Sequence, residues 1–557
     1  MTQKYEIQWQ KKEYLFISLL LAVIFAISSL PYIYGQMIQE DNECFMGIVG
    51  RGTVGSWGYL MFARQAQQGD FWVENRMTPE VLPYPYFNLE WYSFGAFSRY
   101  LHISLLATYH IWRFLSIALF IFGLYYLCSC CLESPVVRML ATSVVLFSSG
   151  LGWIIWMLNE FFSADLLEPI DIEGVSIPLY MVFKPHFIRA AAMAVFTISF
   201  FIRGEKTSQY RYYIMAGFAA FLHTVMRPYP LPEIFLLCLC IPAINFLKFS
   251  KTYLWHYCII LIFLIPSVLY YAYLRYFCVL GFGWWQAVHH MFIQDVFWIG
   301  WPLFIGCCLI LTLGVFKIIM GETSVMILSL WLLSALFINQ IYPYFDGGHE
   351  NCLNAFSIAP PIFLLYWVEK YRKDFVRNIF FKQSFGAMMI GAGIVTIVLA
   401  SLLPSTVLAY SRIFKNLHSE SSSYYLDNDV YMGLEWLSEN SRDGSVVLAL
   451  PVTSQFIPVV SGNKVVATHF MLTSNWSNKA KQVYDFFDRN TKNSSRKTLL
   501  QEYNISYVLI GPEERMLLGD WGDRTEWLEC VFKKDNVSIY RFHRNKSCNI
   551  LLDDKDE

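Results

Sequence analysis

The sequence is dominated by long apolar runs of the length that crosses a lipid bilayer. A helix needs roughly 20 predominantly apolar residues to span the hydrocarbon core. With 56% hydrophobic and only 15% charged residues, the composition is that of a membrane protein. We therefore predict an α-helical polytopic membrane protein with about eleven spans, near residues 14–34, 104–131, 137–158, 187–202, 212–226, 229–247, 253–276, 298–319, 323–341, 353–368 and 385–409.

Lysine and arginine residues in the short connections predict the orientation of these spans. They fall on one side of the membrane if the number of spans is odd, and such residues mark the cytoplasmic side. We therefore expect a cytoplasmic N-terminus. The segments expected on the extracytoplasmic face are the long first loop (35–103), the connections 159–185 and 277–297, and everything after residue 411.

The chain beyond the last span predicts a second domain. Helical periodicity at 429–440 and 479–489 alternates with strand-like apolar runs at 445–450 and 506–510. Such alternation is typical of a small α/β domain. We divide the chain into a membrane module (1–410) and a soluble extracytoplasmic α/β domain (411–557).

An acidic group opens the long first loop directly after the first span. Glu40, Asp41 and Glu43 lie within four positions. Carboxylates placed here would supply a general base for an acceptor hydroxyl, or would bind a divalent cation that neutralises a departing phosphate. The alternative is a solvated acidic turn that closes the helix.

Several cationic side chains lie on the expected outer face, where they break the positive-inside trend. Charge at the end of a span costs free energy unless it is paired or reaches the headgroups. These side chains would converge on a lipid-linked phosphate, or they would simply contact ordinary lipid headgroups. The candidates for substrate binding are Arg64, Lys184, His186, Arg227, Tyr229 and His349.

Several short motifs resemble those of the GT-C membrane glycosyltransferases, in particular bacterial relatives of the dolichyl-phosphate-mannose and aminoarabinose transferases. The run YLMFARQAQQGDFW at 59–72 is similar to the family's tyrosine, Ala-Arg pair and Gly-Asp-Trp, and KPHF at 184–187 and THF at 468–470 look like family segments. The resemblance implies inverting transfer of a sugar from a polyprenyl-phosphate donor to a glycan, lipid or protein acceptor. It also implies the outer face of a bacterial cytoplasmic (inner) membrane.

The resemblance implies an acidic base in the first loop, and here the sequence departs from the family pattern. The carboxylate expected a few positions before Tyr59 is missing, because residues 55–58 read GSWG. We therefore assign Asp41 as the preferred base, with Glu40 or Glu43 as substitutes. The alternatives are a catalytically silent GT-C relative in envelope assembly and a flippase or transporter of lipid-linked glycans.

Charge and cysteine content narrow the choice of partners and cofactors. The formal net charge is -1, which gives no electrostatic reason to expect nucleic acid. The 13 cysteines show no metal-binding spacing. The one candidate cofactor is the divalent cation that the acidic group would bind, and no cofactor is certain. Cys530 and Cys548 would be able to pair in an oxidising compartment, the alternative being two thiols.

Overall fold

The structure, a computed structural model, describes most of the helical module and the C-terminal region. The described residues are 7–50, 53–81, 86–147, 157, 161, 181–182, 184–227, 230–249, 254–273, 322–341, 348–371, 404–419, 421–470, 472–519 and 526–543.

Long helices form the membrane module, and most coincide with the expected spans. They are α1 (Lys11–Met37), α4 (Leu105–Cys131), α5 (Pro135–Phe147), α6 (Pro185–Thr207), α7 (Tyr210–Met226), α8 (Leu231–Phe249), α9 (Leu254–Tyr273), α10 (Thr323–Ile341), α11 (Gly348–Tyr371) and α12 (Pro404–Ser419). Within the described residues, four helical stretches are long and apolar enough to cross a membrane, namely Lys11–Met37, Leu105–Cys131, Pro185–Thr207 and Trp255–Tyr273. The span predicted at 298–319 and most of that at 385–409 lie outside the described residues.

The helical module is held together by apolar packing between neighbouring spans. Helix α4 packs against α6, and α6 packs against α7. Fully buried side chains such as Phe120, Val195 and Ala216 fill these contacts, which exclude both lipid and water from the centre of the module. Packing of this kind fixes where each helix end lies.

The long first loop folds into a short strand and two helices, β1 (Glu43–Phe45), α2 (Thr53–Gln68) and α3 (Leu89–Leu101). The Asn88 side chain caps α3 by accepting hydrogen bonds from the amides of Glu90 and Trp91. Helix α3 lies directly against the α2 backbone at Ala63, an approach that only glycine permits at position 95. The two helices therefore form a compact pair.

The C-terminal region (421–543) is built on a five-stranded mixed sheet. Its strand order is β4 (Lys464–Val465), β3 (Val446–Leu448), β5 (Ile505–Ile510), β7 (Ser538–Phe542) and β6 (Leu528–Lys533). Strand β3 pairs in parallel with β4 and β5, whereas β7 pairs antiparallel with β5 and β6. The region's helices are α13 (Ser421–Tyr424), α14 (Asn428–Asn440), α15 (Pro451–Ser454), α16 (Ile457–Val460), α17 (Trp476–Phe487), α18 (Asn493–Glu502) and α19 (Pro512–Leu518).

This architecture matches the expected α/β pattern and adds to it. The strand-like run at 445–450 contains β3, the run at 506–510 covers all but the first residue of β5, and the helical runs at 429–440 and 479–489 overlap α14 and α17. The β6–β7 hairpin was not anticipated. The fold class, a polytopic helical protein with a C-terminal α/β part, is confirmed.

The long first loop is joined to the C-terminal region by backbone pairing. Strand β1 pairs antiparallel with β2 (Tyr425–Asp427), and the Val465 amide in the edge strand β4 donates to the Arg76 carbonyl at 3.0 Å. Loop and C-terminal region therefore lie on the same side of the helical module. The division of the chain at residue 410 stays a prediction.

Candidate functional site

Three of the cationic residues predicted from sequence meet at the N-terminal end of α6. Lys184 precedes Pro185, which opens the helix with a φ angle suited to its first position. The Lys184 Nζ lies 4.7 Å from the centre of the Phe187 ring, and the Arg227 guanidinium at the end of α7 lies 4.0 Å from it. The His186 ring is 4.6 Å from the same ring. We call Lys184, His186 and Arg227 the cation cluster.

The position of the cation cluster adds to its attraction for anions. The first turn of a helix carries unsatisfied amide groups and a partial positive charge. Arg189, one turn further along α6, also acts electrostatically on His186. An anionic group at this helix end would be attracted by backbone and side chains together.

Arg189 itself is held by a buried ion pair that sequence reasoning missed. Its guanidinium lies 2.5 Å from Glu90 Oε1 of α3 and donates to Ser116 Oγ of α4 at 2.9 Å. Trp112 Nε1 also donates to Glu90 Oε1, at 3.1 Å. The sequence did carry one sign of this ion pair. Arg189 lies inside a predicted span, where a charged side chain requires a partner.

Aromatic rings from the long first loop wall one side of His186. Tyr59 and Trp91 stack on each other with centroids 4.6 Å apart, and both contact the His186 ring edge to face, at 4.8 and 5.3 Å. Both ring nitrogens of His186 are buried and lack a hydrogen-bond partner within the described part of the chain. The rings thus pack around His186 on the side of the long first loop, and we call this region between the loop and α6 the cleft.

The acidic group Glu40, Asp41 and Glu43 lies in a turn at the joint with the C-terminal region. Glu40 and Asp41 are exposed, and Asn428 Nδ2 donates to the Asp41 carbonyl at 3.0 Å. Glu43 faces Asp427 across the β1–β2 pair. Burial, followed by repulsion from Glu40 and Asp427, raises the pKa of the Glu43 carboxyl. None of the described contacts joins this turn to the cation cluster, and its role as base stays a prediction.

The remaining candidates do not join the cluster through any described contact. Arg64 donates to the carbonyls of Val459 and Val460, at 2.6 and 2.7 Å, and to Ser438 Oγ at 2.9 Å. These contacts bind Arg64 to the C-terminal region. The predicted role of Arg64 in binding the sugar donor therefore stays a prediction. Tyr229 lies outside the described residues. His349 lies in the first turn of α11, and its side chain and Cys548 are likewise not described.

A turn of the C-terminal region approaches the same cleft. The His469 carbonyl accepts the amides of Leu472 and Thr473, at 3.0 and 2.8 Å, which closes the turn. His469 Nε2 lies 3.6 Å from the place that a β-carbon on Gly55 would occupy. Burial lowers the pKa of the His469 imidazole to about 4.

A polar contact beside this turn binds the loop to the C-terminal region. The Lys479 ammonium is buried and ion-paired with Glu80, and it donates to Thr78 Oγ1 at 3.2 Å and to Ser474 Oγ at 2.7 Å. Burial would raise the pKa of Glu80, but hydrogen bonds from Lys479 and Thr78 outweigh it and lower that pKa. From the sequence, position 479 was only the start of a helical run.

No metal site is formed by the residues that the structure describes. Among them, no three His, Cys, Asp or Glu side chains come together in a way that could hold a metal ion. A divalent cation remains a sequence-based hypothesis.

Comparison with solved structures identifies the fold. ArnT from Cupriavidus metallidurans, solved with undecaprenyl phosphate, matches at 9% identity and a TM-score of 0.52, over 95% of this chain and 98% of that chain. The arabinofuranosyltransferase AftD from Mycobacteria matches at 13% identity and a TM-score of 0.53, over 95% of this chain and 40% of that chain. The Archaeoglobus fulgidus oligosaccharyltransferase in its apo form matches at 12% identity and a TM-score of 0.49, over 88% of this chain and 70% of that chain.

The fold is therefore that of a polytopic membrane protein with an α/β C-terminal part. More narrowly, it is the GT-C fold of membrane glycosyltransferases, as the sequence motifs suggested. No protein-family model and no curated protein sequence matches the chain. At identities this low the likeness concerns the fold alone.

Proposed function

We propose that this protein is a membrane glycosyltransferase that moves a sugar from a polyprenyl-phosphate donor to an acceptor. The observation that carries the proposal is the meeting of Lys184, His186 and Arg227 at the N-terminal end of α6. A helix N-terminus with several cations is suited to a phosphate group. The GT-C fold supports the same class of donor, since ArnT was solved with undecaprenyl phosphate.

In this proposal the cation cluster both binds the donor and stabilises the leaving group. When the bond between sugar and phosphate breaks, negative charge builds up on the phosphate oxygen. Lys184 and Arg227 stabilise that charge more strongly in the transition state than in the bound donor, which lowers the barrier. The stacked rings of Tyr59 and Trp91 pack against His186 and so help to position it beside Lys184 and Arg227.

We infer that the reaction takes place on the extracytoplasmic face of a bacterial inner membrane, with the N-terminus in the cytoplasm. Arg138 Nε donates to the Leu132 carbonyl and Lys206 Nζ to the Cys130 carbonyl, both at the C-terminal end of α4. The long first loop adjoins the opposite end of α4. Basic residues favour the cytoplasmic side, which supports an outward-facing loop and C-terminal region.

Donor binding provides the direct test. In purified protein, we expect Lys184→Gln combined with Arg227→Gln to weaken undecaprenyl phosphate binding at least tenfold, because charge-assisted contacts to phosphate are lost. Lys481→Gln, which changes a lysine of helix α17, is the matched control and should bind as wild type does. Equal affinity in all three proteins would refute the donor site.

Turnover distinguishes transfer from the other two functions. Release of undecaprenyl phosphate from undecaprenyl-phosphate-linked sugars in native membranes is expected from a transferase. Movement of intact donor across vesicles, without release, would instead identify a flippase. Donor binding without either activity would identify a catalytically silent relative.

A further inference from the structure

One face of α2 carries both the cleft that contains His186 and the contact with the C-terminal region. Tyr59 touches the His186 ring, and Gly55, four residues earlier, faces the His469 imidazole. Residues four apart lie one above the other on a helix, about 6 Å apart. His469 therefore borders the cleft of the cation cluster, one helical turn along α2.

The turn that carries His469 is held firmly in place. Thr473 Oγ1 donates to the Met77 carbonyl of the long first loop at 2.7 Å and accepts the Thr468 amide at 3.1 Å. Trp476 Nε1 donates to the Thr468 carbonyl at 3.3 Å. The backbone that carries His469 is therefore fixed relative to the long first loop, as a group that transfers protons requires.

Two described carboxylates of the long first loop, one bonded to α6 and one beside the His469 turn, are engaged in ion pairs. Glu90 neutralises the buried Arg189, and Glu80 neutralises the buried Lys479. A carboxylate paired with a buried cation is a poor proton acceptor, because protonation would leave the cation uncompensated. His469 is half-buried, and its lowered pKa keeps the ring neutral at physiological pH and comparable in basicity to a carboxylate.

We propose that His469 is the general base that activates an acceptor hydroxyl, an inference that rests on the proposed glycosyltransferase function. The imidazole takes the hydroxyl proton, and the acceptor oxygen forms the new bond to the anomeric carbon. The bond from that carbon to the phosphate oxygen breaks, and its electron pair leaves with the polyprenyl phosphate. The cation cluster stabilises that leaving group.

The position of Gly55 offers a sharp test of this role. A β-carbon built at Gly55 makes only ordinary contact with the imidazole. Aspartate at position 55 therefore fits, and in a protein without the His469 ring its carboxylate would reach the space that the imidazole leaves. A structural role for His469 would not be restored by this carboxylate.

The experiment measures undecaprenyl phosphate release from undecaprenyl-phosphate-linked sugars in membranes, together with undecaprenyl phosphate binding. We expect His469→Gln and His469→Ala to lower the rate about 10²–10⁴-fold while binding stays unchanged. Gly55→Asp combined with His469→Ala should recover a measurable part of the rate. Asp41→Asn is measured beside them, because the acidic turn is the rival position for the base. Lys481→Gln, on the exposed side of α17, should turn over as wild type does.

Each contrary outcome has a separate meaning. Full turnover by His469→Gln overturns the base assignment, and so does a double variant that binds undecaprenyl phosphate normally but regains no activity. If Asp41→Asn loses turnover and the His469 variants keep it, the base lies in the acidic turn and the assignment of His469 is overturned. Absence of turnover by the wild-type protein refutes the glycosyltransferase function itself, and the base with it.

Discussion

Glu90 and Arg189 form an ion pair whose two side chains are both almost fully buried, at a point where the long first loop meets the spans. Burying one charge without the other is costly, because the protein interior solvates ions poorly. The pair therefore forces α3 to stay in contact with the first turns of α6. It positions the cation cluster without belonging to it.

Breaking this pair should reveal its cost. We expect Glu90→Gln to lower the free energy of unfolding by about 3–5 kcal/mol, because Arg189 keeps its charge without compensation. The midpoint of thermal unfolding in detergent measures the effect, with the exposed Glu40→Gln as the matched control. Unfolding of the two variants at the same temperature would contradict the prediction.

Glu80 predicts a pH dependence of stability. Its pKa in the folded protein lies below the usual value of 4.5, so folding favours the ionised carboxylate. The stabilisation is complete above about pH 4.5 and is lost as the pH falls through the lowered pKa. The difference in unfolding temperature between wild type and Glu80→Gln should therefore be present at pH 7 and shrink in acid. A difference that grows in acid would rule this out.

Helix α2 is the element that joins all parts of the site. One face contacts His186 and His469, and another carries Arg64 to the carbonyls of the C-terminal region. Just beyond it, Arg76 binds both carboxylate oxygens of Asp443 at 2.7 Å and the Gly462 carbonyl at 2.6 Å. The contacts on α2 and its continuation thus decide where His469 lies.

Removing the Arg76 contact should loosen this joint. Charge-assisted hydrogen bonds contribute about 1.5–3 kcal/mol, so Arg76→Ala should destabilise the docked C-terminal region by a similar amount. Limited proteolysis followed by mass spectrometry would detect faster cleavage there. Arg442→Ala, an exposed neighbour of Asp443, is the control and should be cleaved like wild type. Matching cleavage rates in all three proteins would argue against the joint.

At the scale of the whole molecule, the β1–β2 ribbon ties the start of the chain to its C-terminal part. Cys44 faces Leu426 in this antiparallel pair. Directly opposed residues have Cα atoms about 4.5–5.5 Å apart, which is within the range of a disulfide. The ribbon therefore makes the long first loop and the C-terminal region one assembly.

A cross-link tests this architecture. We expect Leu426→Cys to form a disulfide with Cys44 under mild oxidation in membranes. After protease cleavage between the two positions, the fragments should stay joined on a non-reducing gel. Tyr425→Cys, whose side chain points to the other face of the ribbon, should cross-link far less. Equal cross-linking at both positions would exclude the register.

The spans and the main strands could be predicted because each depends on local periodicity. The apolar run that became α4 and the buried run that became β5 carry their signal in consecutive residues. The meeting of Lys184, His186 and Arg227 was also predictable in outline. All three end spans on the same expected face, which limits how far apart they can lie.

The long-range partners could not be read in the same way. Nothing near Arg189 in the sequence indicates that its partner is Glu90, and nothing near Gly55 points to His469. The acidic group at 40–43 looked like a base because of its place after the first span, yet its described contacts run to the C-terminal region. Pairing between distant segments depends on packing, which residue type alone does not encode.

The sequence by itself determined the class of this protein, because long apolar runs have only one stable arrangement in a bilayer, the helix with its internal hydrogen bonds. It also determined the character of the C-terminal region through alternating helix and strand periods. The tertiary structure decided which side chains share the cleft. That choice follows from the docking of α2 between the spans and the C-terminal region, where burial and charge compensation select contacts between residues far apart in the chain.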